Sequence, residues 1–284
     1  MKTCVRVLPL VLLCCASVPA WGDPPDPEAL LGKLSAPPKS YADAKARCAN
    51  PKDKSTYLSS DPQNQALADE IEKQTKAWET AYSNDMKSHM AQNMAASQAS
   101  AMDPRQMMAM AQMQQAMSNT QLPPDPAALA EQLFQGPATL SAIQANEQEQ
   151  QKSSQDWQGK YQACAKLPIG ADSCQKVVAG KANTEAADIG KRRGPLLEKY
   201  YSGLAANWPN FRDGVQKYLD AITLAVPAGV DPKGYQVGIL LNTNLDRRLQ
   251  VVHDAAARGG EAICPNFLYE AEQQYGGICM GEGC

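Results

Sequence analysis

The amino-acid sequence predicts an all-α protein: an elongated antiparallel helical bundle or hairpin with long helices, disulfide-stapled turns and a glycine-rich C-terminal tail. Three observations carry this expectation. The 284 residues include only three phenylalanines, and alanine and glutamine are abundant. That composition suits helices packed through small and straight-chain side chains better than strands, which want β-branched and aromatic ones. An Asp-Pro dipeptide recurs at Asp23, Asp26, Asp61, Asp103, Asp125 and Asp231. The aspartate accepts bonds from the free amides of a first helical turn, and the proline, its φ preset, loses no bond there. Between these marks, apolar residues recur at steps of three and four, the period of one helix face.

Residues 1–20 carry Lys2 and Arg6, an apolar run from Val7 to Ala16, and then Val18-Pro19-Ala20. This is the layout of a secretory signal, with cleavage expected after Ala20 and a periplasmic or secreted mature chain. The run is too short for a membrane span and no later stretch approaches about 20 apolar residues, so no transmembrane segment is expected in the mature chain. Loss of Lys2 and Arg6, with no acid, takes the formal charge from −3 to −5. A mildly acidic chain argues against nucleic acid or an anionic membrane as the main partner.

Residues 21–60 form a proline-rich leader with short helices around Leu30, Leu31 and Leu34. From Asp61, the residues Leu67, Ile71, Trp78, Tyr82, Met86 and Met90 make one stripe, predicting a helix over 61–100 of about 60 Å. Asp103-Pro104 breaks it and starts a methionine-bearing helix over 103–119. A helix near 125–135 follows, and Pro137 opens another over 137–166, whose middle, Glu147 to Asp156, is polar on every face. Such a segment suits a solvated arm or a coiled-coil partner. Gly180, Gly190, Gly194 and Pro195 predict a broken helix next, with Lys191-Arg192-Arg193 as a solvated face. Phe211, Val215, Leu219, Ile222 and Val226 then predict a helix over 208–226. The last, over 232–258, carries the core face Leu241, Leu245, Leu249, Val252 and Ala256 and should end at Gly259-Gly260. Tyr235, Val237, Ile239 and Leu241 also alternate as a strand would.

With Cys4, Cys14 and Cys15 lost in the signal, six cysteines remain: Cys48, Cys164, Cys174, Cys264, Cys279 and Cys284. An even number in an exported chain favours disulfides. Cys164 and Cys174 flank a turn containing Pro168 and Gly170 and should pair. Cys264, Cys279 and Cys284 are expected to bond within the tail, with Cys48 or one of them reaching further.

Nine of the eleven methionines fall within Met86–Met117. The plainest role for these stripes is core or coiled-coil packing; an adaptable groove for a partner or an apolar ligand is the next. Soft Cu(I) coordination by Met107, Met110 and Met113, with His89 as nitrogen donor, is the sharpest alternative. His89 also shares the face of Ile71 and Trp78, which suits an interior histidine. Otherwise no cofactor is expected. Two histidines, and no phosphate-binding loop, nucleophile elbow or His-Glu-x-x-His pattern, argue against an enzyme; His253 with Asp254 is the one catalytic pair to consider. The expected function is therefore a binding or scaffold protein of the cell envelope. It would engage an envelope partner, or a second copy of itself, through Trp78, Tyr82, Met86 and Met90.

Overall fold

A computed structural model describes residues 23–53, 56–97, 104–118, 122–134, 137–228, 230 and 235–268, with backbone alone for 88–97, 105–106, 134, 137–138 and 235. Eight helices occupy them: α1 Pro27–Gly32, α2 Tyr41–Cys48, α3 Pro62–Ser97, α4 Pro104–Met117, α5 Pro126–Phe134, α6 Pro137–Ala165, α7 Ala171–Ile222 and α8 Tyr235–Ile263. Among the described residues the one β feature is an isolated bridge between Ala49 and Tyr57. The fold is thus all-α, and Tyr235–Leu241 is helix rather than strand.

Asp-Pro chemistry starts the helices as expected. Asp26 accepts from the amides of Glu28 and Ala29, Asp61 from Asn64 N at 3.0 Å, and Asp125 from Ala128 N at 2.8 Å. Asp23-Pro24 lies outside any helix. Asp103 and Asp231-Pro232 lie outside the described residues, as do the signal segment and the tail with Cys279 and Cys284.

Two expected interruptions are absent. The segment predicted to break at Gly180, Gly190, Gly194 and Pro195 belongs to α7, a continuous helix of 52 residues, about 78 Å long. Pro195 and Pro209 both lie inside it with their rings exposed, so carbonyls that lose an amide partner can turn to water. On the other face Leu197, Tyr201, Leu204, Phe211, Val215 and Leu219 are buried. Burial of each at about 1.5–3 kcal/mol outweighs about 3 kcal/mol per interior proline and about 1 kcal/mol per glycine. Likewise α8 runs through Gly259-Gly260 to Ile263. A Cβ at Gly259 would lie 2.8 Å from the Trp208 ring, and one at Gly260 would collide with Ser60 Oγ. These glycines admit close neighbours; they do not stop the helix.

The longest pairings are α6 with α7 and α3 with α8. Asn146 Nδ2 donates to Ile189 O and Ser153 Oγ to Glu185, while Cys164 is bonded to Cys174; residue numbers rise on α6 as they fall on α7. On the other pair, Asp61 N donates to Gly260 O and Trp78 Nε1 to Asn242 Oδ1, again in opposite directions. Tyr200 and Tyr201 of α7 donate to the carbonyls of Ala262 and Ile263 at 2.8 and 3.0 Å. Burial pushes both phenols well above their ordinary value, so they stay donors.

The expected Cys164–Cys174 bond is present. Cys264 pairs with Cys48 across a separation of 216 residues, so it is the tail cysteine that reaches further, and any bond between Cys279 and Cys284 lies outside the described residues. Cys48 and Cys264 are buried in the main core, where α2 meets the end of α8. Beside this bond, Arg47 grips the buried Asp61 through Nε and, at 2.7 Å, Nη2. The same guanidinium donates to Ala36 O and Ser35 Oγ, so leader, α2, α3 and α8 meet at one polar hub. Among the described residues no helix is long and apolar enough to cross a membrane.

Candidate functional site

Helix α4 divides its methionines between two environments. Met113 is buried against Leu224 and Val237, with Met110 and Met117 half-buried beside it, the spacing of one helix face. Met107 and Met108 point the other way and are 50% and 66% exposed. Met107, Met110 and Met113 thus range from solvent to core. The side chains of His89 and Met90 lie outside those described.

On α3, Trp78 and Tyr82 stack with ring centroids 6.4 Å apart and lean on α8. Trp78 Nε1 donates to Asn242 Oδ1 at 2.6 Å, and the Tyr82 hydroxyl lies 3.5 Å from where a Cβ on Gly238 would be. Both rings are half-buried, as is Met86 one turn further. Since Tyr82 meets Gly238 while Met113 packs on Val237, α3 and α4 flank the same turn of α8. The stripe read as partner-binding therefore spends its inner edge on α8.

Further along the α3–α8 contact lies a groove of about 410 Å³, lined by Glu72, Lys76 and Glu79 from α3 and by Asp246, Gln250 and His253 from α8. Asp246 Oδ2 accepts from Asn242 Nδ2 at 3.2 Å, while Oδ1 is buried without a partner among the described residues. Burial, reinforced by the Glu79 carboxylate, holds Asp246 above the ordinary carboxylate range. Glu72 moves the opposite way through its hydrogen bond and charge pairing with Lys76. His253 Nδ1 sits 3.2 Å from Asp254 Oδ1, which also accepts from Gln250 at 2.7 Å. The groove can hold a proton or a cationic group. Its one hydroxyl, Thr75 Oγ1, is committed to the Ile71 carbonyl at 2.9 Å. Sequence reasoning found His253 but missed Asp246 and Glu79, whose meeting depends on how α3 and α8 are paired.

Between α6 and α7 the seam is polar. Ser153 and Trp157 Nε1 both donate to Glu185, at 2.7 and 3.0 Å, and these bonds lower its carboxyl from the ordinary value. Arg193, read from sequence as part of a solvated face, is instead buried: Nη2 donates to Glu147 at 2.5 Å and to Phe267 O at 2.9 Å. Its buried charge is matched by a carboxylate on the facing helix, a pairing that a local charge pattern does not reveal.

At the far end of this pair, residues 165–170 are all exposed, including Leu167 at 46% and Ile169 at 88%, and Val177 follows on α7 at 58%. The sequence marked this turn by its cysteines; the overlooked signal was an apolar Leu-Pro-Ile at a turn. Compared with known proteins, the chain matches no family model, no curated protein and no solved structure.

Proposed function

We propose that this chain is an exported helical binding or scaffold protein of the cell envelope, without catalytic activity, that acts through the methionine-bearing end where α3 and α4 flank α8. The observation that carries this reading is the adjacent pair Met107 and Met108, exposed on an α4 whose other face is already packed. Large apolar side chains presented to water beside a built core are the usual mark of a contact surface, and methionine adapts its shape to a partner. Export is supported by the signal-like first 20 residues and by two disulfides, which persist in oxidising compartments. The elongated antiparallel pairing of long helices suits a scaffold, because it holds distant surfaces apart. A soft-metal site on Met107, Met110 and Met113 has less support, since Met113 is enclosed by Leu224 and Val237 while Met107 faces solvent.

Site-specific photo-crosslinking in intact cells tests the reading. A crosslinker at Met108 should trap one discrete adduct, either a partner or a second copy, that the same probe at the exposed Asp188 does not. Met107→Gln should abolish that adduct while leaving the thermal midpoint unchanged. Equal labelling from both positions, or none from Met108, would end the proposal.

A further inference from the structure

We propose that the turn joining α6 and α7 is a membrane-docking tip that inserts peripherally into the surface of an anionic lipid bilayer. Leu167 and Ile169 stand at the apex of a two-helix arm with Val177 close behind, and half of the exposed large apolar residues described in the whole structure are these three. The arm is narrow. Beyond Gln150 on α6 and before Ile189 on α7, no residue belongs to the main core cluster, and α6 makes its principal contacts with α7 alone. From Gln150 to Ala165 the arm extends about 22 Å along α6. The Cys164–Cys174 bond closes its end, so the apolar apex is held as a unit.

Charge selects the occupant. Residues 160–181 carry Lys160, Lys166, Lys176 and Lys181 against one acid, Asp172, in a chain whose net charge is −3. All four lysines are exposed. Lys160 and Lys176 lie about 8 Å behind the helix ends at 1.5 Å per residue, the depth at which an interfacial segment meets phospholipid headgroups once its apolar edge has entered the acyl boundary. Lysine stems reach from apolar surroundings to such headgroups. Glu185 partly offsets Lys160, so Lys166 and Lys176 carry the excess nearest the apex, and acids further away than about 8 Å are screened at physiological ionic strength. A convex apolar apex ringed by lysines therefore fits a fluid anionic surface better than a concave protein groove, which would have to enclose the apex and pair the lysines individually. It also reconciles the tip with an acidic whole: local charge, not net charge, meets the bilayer.

Flotation of the full mature protein with vesicles tests this, using mixed phosphatidylglycerol and phosphatidylcholine against phosphatidylcholine alone. The protein should float with the anionic vesicles at low salt and be released as salt rises. Leu167→Ser with Ile169→Ser should lower the partition coefficient by at least about ten-fold, and Lys166→Gln with Lys176→Gln should remove the preference for anionic lipid. These side chains are exposed, and an unchanged circular dichroism melt will show that the variants fold. Ile169→Trp supplies an independent readout: on anionic vesicles its emission should shift to the blue relative to wild type and be quenched by brominated lipid. Wild-type protein that stays in the aqueous fraction at low salt, or a serine variant that binds like wild type, overturns the proposal. So would tip substitutions that change the sedimentation of the lipid-free protein, since the apex would then be a contact between copies.

Discussion

Replacing Asp61 by alanine should be among the most damaging single changes in this fold, although Asp61 lies far from the methionine end. Its buried carboxylate accepts from Arg47 Nε and Nη2 and caps α3 by accepting from Asn64 N at 3.0 Å. Alanine leaves the Arg47 guanidinium, 19% exposed, without its counter-charge in a place that water reaches poorly. Breaking a buried pair in this way costs about 3–5 kcal/mol, and loss of the cap about 1 kcal/mol. The two losses share one carboxylate and do not simply add, so about 4 kcal/mol is expected. Asp61→Asn keeps an acceptor for the cap but removes the charge, and should lose about 2 kcal/mol. Asp254→Ala, half-exposed on α8, is the control and should stay within about 0.5 kcal/mol. Urea unfolding followed at the helical circular dichroism band measures all three, with a lower midpoint and an unchanged slope as the expected signature. If Asp61→Ala lies within about 1 kcal/mol of wild type, or if Asn is as harmful as Ala, the hub is not held by charge and this reasoning fails.

Two further outcomes follow from the same structure. On the loop-entropy account, alanine at both Cys48 and Cys264, which are 216 residues apart, should cost about 5 kcal/mol, and the Cys164 and Cys174 pair, 10 apart, about 3 kcal/mol; the reverse order in urea titrations would refute it. Asp246 has a folded value raised above 3.8 by burial first and Glu79 second, so the folded chain holds this proton more tightly than the unfolded one. Ionisation therefore destabilises the fold, with the penalty absent below the ordinary value and complete above the raised one. Asp246→Asn should be more stable than wild type at neutral pH and equal to it in acid, and a difference that does not vary with pH would contradict this.

The parts of the fold legible in the sequence were those governed by local chemistry. Asp26, Asp61 and Asp125 each supply a cap within three residues of themselves, so the helix starts could be read from dipeptides. The Cys164–Cys174 bond was equally local. What escaped depended on partners distant in the chain. Pro195 and Gly194 read as a break because their cost is local, whereas the burial of Leu197, Tyr201 and Leu204 that overrides it is tertiary. Gly259-Gly260 read as a stop because the Trp208 ring and Ser60 that need the space come from other helices. The candidate site divides in the same way. The methionine stripe was visible from spacing, but which methionines face inward depended on where Val237 and Leu224 come to lie. The Asp246–Glu79 proximity required the pairing of α3 with α8.

The Cys48–Cys264 bond turns most of the described chain into a covalent ring, and the Cys164–Cys174 bond closes a smaller ring inside it. The exposed residues 165–170, the kind of surface turn that proteases favour, lie within both. A single cut there creates two new chain ends but releases no fragment, because the pieces remain joined through sulfur at the apex and again at the base. A second cut in the same loop would free only the few residues between the two cuts, and separating the two sides of the nick covalently requires reduction of both disulfides. Among the described residues, this fully exposed turn is thus also a place where a nick does little to take the molecule apart.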